Sequence, residues 1–230
     1  MPDKIIVAID GPSGSGKSTL SKLLARRLDF VNIDTGAMYR TVALAAYRAG
    51  IDPENHVALK DLCADLTIHF KRIGNEERVW LGDEDVSEAI RTPEMSLLTS
   101  AVSASPVVRR AMVELQRGMG RNGNGSGVVL EGRDIGTEVF PDAQVKFFLH
   151  ASDEERGRRR YAQLRENGRD VTLEQTIAEV VARDRADESR EHAPLRQAED
   201  AIIIDSTALD IEEVLALMLR HVRQIQEQVG

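Results

Sequence analysis

The stretch GPSGSGKST, Gly11 to Thr19, lies between the apolar run IIVAID and the helical pattern LSKLLARRL. The spacing Gly11-x-x-x-x-Gly16-Lys17-Ser18 is that of a phosphate-binding loop. Such a loop needs a buried strand before it and a helix after it, so it restricts the chain to α/β architectures. On this reading Gly11, Pro12, Ser13, Gly14, Ser15, Gly16, Lys17, Ser18 and Thr19 hold the polyphosphate of a nucleoside triphosphate. Backbone N–H groups wrap the anion, and the positive end of the following helix points at it. Lys17 reaches the β- and γ-phosphates, and the Ser18 hydroxyl holds Mg²⁺.

Five apolar runs read as buried parallel strands: 5–10, 30–34, 127–131, 145–150 and 201–205. Helical patterns fall near 17–28, 36–49, 106–118, 153–166, 173–188 and 210–227. Ser152…Glu155, Thr172…Gln175 and Asp210…Glu213 have capping-box spacing. Strands alternating with helices predict a parallel sheet covered on both faces, with ligands gathered beyond the carboxyl ends of the strands. One segment, about 65–90, breaks the rhythm. Leu66, Ile68 and Phe70 alternate, a polar GNEE follows, and then Val79-Trp80-Leu81. That pattern predicts a small antiparallel insertion. GRNGNGSG, 120–127, reads as a loop.

A net charge of −8 and a pI near 5.3 argue against a general nucleic-acid or membrane-surface binder. Cys63 is the single cysteine, which excludes a disulfide framework and a cysteine-based zinc site. The first ten residues fit neither a signal peptide nor a membrane span, so the expectation is a cytoplasmic protein. Arginine outnumbers lysine 24 to 6, and nine of the arginines fall between Arg156 and Arg190. Arginine grips phosphates and carboxylates bidentately, so the clustering points to anionic ligands.

Three further groups follow strand ends or share a helix face. Asp34-Thr35-Gly36-Ala37-Met38-Tyr39-Arg40 is either a helix cap with an incidental arginine or an anion site. Glu131-Gly132-Arg133-Asp134 is either a surface Arg–Asp pair or two charges facing one crevice. Arg183, Asp187 and Arg190, at i, i+4 and i+7, project within about 60° of one another on a helix. They form either an Arg183–Asp187 surface salt bridge or part of a site. The run Arg158-Arg159-Arg160 must spread around its helix, so its members cannot all reach one ligand.

GPSGSGKST, DTGAMYR, IRTPE…TSAVSASPVVR, EGRDIGT and ARDRADESREHAPL, in this order, resemble bacterial cytidylate kinases, which phosphorylate CMP and dCMP. The resemblance covers nearly the whole chain. It implies an α/β P-loop kinase with a five-stranded parallel sheet flanked by helices, a small antiparallel insertion and a mobile lid. Residues 1–230 would form a single kinase domain, with a nucleoside-monophosphate region at 36–105 and the lid at 152–170. It also implies that Ser100, Arg109 and Asp134 hold the base of CMP, and that Arg183 and Asp187 meet the sugar. Arg40, Arg133 and Arg190 would meet the phosphate, with Thr35 nearby where many members have serine. Lys17, Arg133 and Arg40 would act in catalysis, and Mg²⁺ would enter with ATP. Asp34 would orient Mg²⁺-bound water or the Thr35 turn. The expected partners are ATP and CMP or dCMP acting on a monomer, with neither nucleic acid nor membrane.

Phosphoryl transfer spreads charge over three oxygens, so catalysis is chiefly positioning and electrostatics. No base is required, because the acceptor phosphate is largely ionised near neutral pH. One alternative is a kinase of the same fold for another small acceptor. A GTPase-type switch is disfavoured, since neither Asn-Lys-x-Asp nor Asp-x-x-Gly occurs in the chain.

Overall fold

The computed structural model describes residues 4–74, 76–122, 125–166 and 168–229. In chain order the elements are β1 (Ile5–Asp10), α1 (Lys17–Leu28), β2 (Val31–Asp34), α2 (Thr35–Arg48), α3 (His56–Asp65), β3 (Ile68–Ile73), β4 (Glu76–Leu81) and β5 (Glu84–Asp85). They continue with α4 (Pro93–Ala104), α5 (Pro106–Asn122), β6 (Gly127–Gly132), β7 (Val145–His150), α6 (Asp153–Glu166), α7 (Leu173–Glu188), β8 (Ile202–Asp205) and α8 (Ile211–Val229). A 3-10 turn at Ala89–Arg91 and a π turn at Ile135–Val139 complete the list. The chain divides into two compact units, Met1–Asn32 with Gly120–Gly230, and Ile33–Met119.

The first unit is organised by β1, whose six residues are all buried, as a central parallel strand requires. The sheet order is β2-β6-β1-β7-β8, so the chain leaves β1 for one edge, returns at β6, and then crosses to β7. The strand order therefore reverses beside β1, the position where open α/β sheets bind ligands. The registers are parallel, with Ile9 opposite Glu131 and Phe147, and Phe147 opposite Ile202. Val7 and Ile9 belong to a core that includes Leu20 and Leu24 of α1 and Met218 and Val222 of α8. Buried Val214, Leu215, Met218, Leu219 and Val222 recur at helical spacing, which gives α8 one apolar stripe.

All three predicted caps form. Ser152 Oγ accepts from Glu155 N–H at 3.2 Å and Thr172 Oγ1 from Gln175 N–H at 3.2 Å. Asp210 and Glu213 cap each other reciprocally at 2.9 Å. At Gly11, with φ 148°, a Cβ would stand 2.0 Å from the Leu149 carbonyl oxygen, so only glycine lets the chain leave β1 beside β7.

In the second unit the predicted insertion is a three-stranded antiparallel sheet, β3-β4-β5, with Ile68 opposite Leu81 and Phe70 opposite Val79. Phe70, Val79 and Leu81 face a core with Ala37, Leu44, Ile90 and Met95. Two helices depart from expectation. α3 buries only Leu59, so its apolar pattern is too sparse to read. α4 covers a Ser/Thr-rich stretch to which the sequence pattern assigns no element, although Thr92 caps Met95 N–H at 3.2 Å and Pro93 opens the helix. α5 also runs on to Asn122, shortening the expected 120–127 loop, of which residues 123 and 124 lie outside the described residues. Asn75 of the GNEE turn does so too. Among the described residues no helix is long and apolar enough to cross a membrane.

Leu24 is fully buried in the apolar cluster that β1 and α8 share. Leu24→Ala should cost about 2–5 kcal/mol, read as a lowered urea midpoint with unchanged slope.

Candidate active site

The chain turns from β1 into α1 through residues in left-handed backbone geometry: φ is 76° at Gly14 and 93° at Gly16. Gly16 occupies the N-cap of α1 and no side chain caps that helix, which leaves its first N–H groups facing the loop. Lys17 is buried, and its Nζ donates to Pro12 O at 2.5 Å and Ser15 Oγ at 3.3 Å. Burial first, then the Arg133 charge, pushes the Lys17 ammonium well below its ordinary pKa. Glu131, Asp10 and Asp184 pull the other way. Ser18 Oγ donates to Glu131 Oε2 at 2.8 Å. A hydroxyl and a carboxylate side by side at the helix start are hard oxygen donors, the kind Mg²⁺ prefers.

Asp10, the last residue of β1, is buried, and its two oxygens accept Ile135 N–H at 2.9 Å and Gly136 N–H at 2.7 Å. It thereby caps the π turn that follows EGRD, a five-residue-spaced turn closed by Phe140 N–H on Ile135 O at 2.7 Å. Its carboxyl is pushed up to about 6, chiefly by burial, against the two backbone N–H bonds that favour its anion.

Arg133 pairs with Asp187, not with Asp134: Nε donates to Asp187 Oδ2 at 2.8 Å. Arg190 bonds the other Asp187 oxygen. Asp187 is buried and holds two arginines, Arg133 and Arg190, rather than lying on a solvated face. Arg190 stands two residues beyond the end of α7, and Arg183 is exposed. Asp134 is buried at the start of the π turn.

Within the second unit, Asp34 Oδ1 caps α2 by accepting Ala37 N–H at 2.7 Å, and Oδ2 accepts from Arg40 Nη2 at 3.2 Å. The cap and the arginine are thus one arrangement, with the guanidinium held at the helix start. Thr35 is buried at the first turn. Arg109 is buried and lies 5.5 Å over the Tyr39 ring, and its Nη1 donates to Ser103 O at 3.3 Å. Ser100 is exposed on α4, and its carbonyl accepts from Ser103 Oγ at 3.3 Å.

Three residues of the first unit escaped the sequence reading, Asp10, Arg156 and Asp184, and Glu131, named there only within its motif, gains a partner in Ser18. Arg156 was one of many arginines in the 156–190 cluster, yet it is 4 % exposed, unlike its neighbours Arg158 to Arg160. The signal for Asp184 lay in α7, where buried Thr176, Val180, Asp184 and Asp187 recur at helical spacing.

The family model described as cytidylate kinase matches residues 7–224. The cytidylate kinase of Syntrophotalea carbinolica is 61% identical over 227 residues, covering 99% of this chain and 95% of that protein. The cytidylate kinase of Geobacter sp. strain M21 is 63% identical over 220 residues, 96% of this chain and 93% of that one. Among solved structures, a shikimate kinase from Bacteroides thetaiotaomicron aligns with TM-score 0.50 at 14% identity, covering 95% of this chain and 98% of the other, a likeness of fold.

The Asp10 carboxyl gives a pH signature. With the pKa raised from 3.8 to about 6 on folding, the native state holds the proton that the unfolded chain has released between those values. Stability from this group therefore falls as pH rises from about 4 to 6 and stays low above, by about 3 kcal/mol in all. Asp10→Asn lacks this slope. The stability difference, variant minus wild type, should move in the variant's favour by about that amount between pH 4 and 7 in urea melts.

Proposed function

This chain belongs to the cytidylate kinase family, and we propose that its phosphate loop and its acid-held arginines carry out the transfer for which that family is named. The enzyme transfers the γ-phosphate of ATP to CMP or dCMP, giving ADP and CDP or dCDP. One observation carries the assignment. The family match runs from the middle of β1 to the last turns of α8 and so takes in every motif above.

A CMP phosphate oxygen attacks the γ-phosphorus while the bond to the β-phosphate oxygen breaks, and ADP leaves. Residues Gly11 to Thr19 wrap the ATP phosphates through backbone N–H groups, and Lys17 exchanges its bonds to Pro12 and Ser15 for the β- and γ-phosphates. Bound Mg²⁺ would supply neutralisation of the charge on the triphosphate. Ser18 would hold it and Glu131 would orient that hydroxyl. Asp34 is engaged at the cap of α2, so its role is to hold Arg40 and the Thr35 turn. Arg40, Arg133 and Arg190 neutralise the acceptor phosphate, with Thr35 beside them. Arg183 and Asp187 meet the sugar. Residues 36–105 form the monophosphate-binding region of a single domain, and 152–170 form a lid that carries arginines toward ATP. The enzyme acts as a monomer.

Ser100, Arg109 and Asp134 select the base. Cytosine offers an amino donor at position 4 and a bare ring nitrogen at 3, whereas uracil offers a carbonyl and an N–H. The Asp134 carboxylate accepts from the amino group and Arg109 donates to the ring nitrogen or neighbouring carbonyl. Against uracil the carboxylate would face an oxygen with no proton between them. A buried site left unpaired in this way can reject the wrong ligand by up to roughly 10⁴.

ADP formation should be measured with CMP, dCMP, UMP and AMP offered separately. CMP and dCMP should be clearly preferred, and equal use of UMP would end the cytosine reading. Asp134→Ala should shrink the CMP/UMP ratio of kcat/KM by damaging CMP. Lys17→Ala should melt near wild type yet lose about 10²–10³ in kcat. A folded Lys17→Ala enzyme with near-wild-type turnover would remove that lysine from the site.

A further inference from the structure

A loop rich in glycine, with positive φ at positions 11, 14 and 16, gains little order from its own sequence. Something outside it must set its shape before any anion arrives. Ser13 is where that happens. Its N–H donates to Asp184 Oδ1 at 2.8 Å, and its carbonyl accepts from Arg156 Nη1 at 2.7 Å. The same guanidinium bonds Asp184 Oδ2, so one ion pair grips both backbone groups of one loop residue. Both side chains are about 5% exposed. Arg156 is itself fixed, through Nε to Ala151 O at 3.1 Å and Nη2 to Asp153 Oδ1 at 2.5 Å.

We propose that Arg156 and Asp184 are a positioning pair for the donor loop, acting on ATP through Ser13 and not by touching the nucleotide. This rests on the assignment of residues 11–19 to ATP. Three features support it. The Ser13–Gly14 peptide is trans, so holding the Ser13 carbonyl against Arg156 points the Gly14 N–H in the opposite direction, away from Arg156. A Cβ at Gly14 would lie 2.8 Å from the Arg156 carbonyl oxygen, so the α6 backbone also bounds the loop. Finally, a lone carboxylate at Ser13 would repel a triphosphate, and the paired guanidinium cancels that charge. Holding loop amides in the bound geometry removes an ordering cost from ATP binding, so the pair should appear in the ATP terms of the kinetics.

The opposing possibility is that Arg156 is a phosphate ligand stored on Asp184. The two differ in sign. Asp184→Asn keeps an acceptor for Ser13 N–H but loosens Arg156. A positioning pair predicts that KM for ATP rises about threefold. A stored ligand would be freed and KM for ATP would fall, which would overturn the proposal. The double variant R156M/D184L removes both grips without leaving a buried charge unpaired, and replacements of this kind usually fold. It should raise KM for ATP at least tenfold and change KM for CMP less than threefold, with melting checked in parallel. A folded double variant with KM for ATP within twofold of wild type overturns the proposal, as does an equal rise for CMP, which would mark a merely structural role. If the double variant does not fold, Asp184→Asn decides by the same ATP-against-CMP comparison. Lys17→Ala, run alongside, separates the two readings. Retained transfer there would defeat the donor assignment itself, whereas lost transfer with unaffected Asp184 variants would defeat only the positioning pair.

Discussion

A loop that gathers backbone N–H groups toward one point must turn its carbonyls outward, and those carbonyls need partners of their own. Here the partners are cations. Lys17 takes the Pro12 carbonyl and Arg156 takes that of Ser13. Around this arrangement the acids fall into place, with Glu131 against Ser18 and Asp184 against Arg156. β1 and α1 supply rigid ends on either side, both embedded in the same apolar cluster. The geometry of the loop is thus set by buried charges whose partners come from β6, α6 and α7.

The same economy holds among the arginines assigned to the acceptor. Arg40 rests on Asp34, while Arg133 and Arg190 share Asp187. Guanidinium groups set close together, as Arg133 and Arg190 are on Asp187, repel each other. A carboxylate partner offsets that repulsion and fixes each fork in direction. α7 carries two such acids one turn apart: Asp184 faces the donor loop and Asp187 faces the arginines. A single helical turn therefore anchors both Ser13 of the loop and the Arg133–Arg190 pair within the first unit.

Asp10 shows the cost of such ordering. Burial raises its carboxyl toward neutrality, yet its two backbone bonds tie the foot of the phosphate loop to the turn that presents Asp134. Each carboxyl oxygen serves one of the two N–H groups.

The strand–loop–helix at residues 5–28, the alternation of strands with helices, and the antiparallel insertion were all legible, because each is written in local periodicity and in glycine, proline and cap residues. The three N-caps formed for the same reason, the one at Asp210 as a reciprocal box. α3 and α4 were not legible. Their short, small or polar side chains give almost no periodic signal; both rest on N-caps, and α4 also on the core around Val79 and Met95. Among the candidate site residues, the loop and the arginines could be named from sequence, but their partners could not. Nothing local tells that Arg133 turns from adjacent Asp134 to Asp187, 54 positions away, or that Ser13 meets Asp184. The sequence by itself determined which groups carry charge and which stretches become strand, loop or helix, since those follow from neighbours along the chain. Only the tertiary structure decided which charges are buried and with whom, because burial and pairing depend on residues brought together from distant elements by the packing of the sheet.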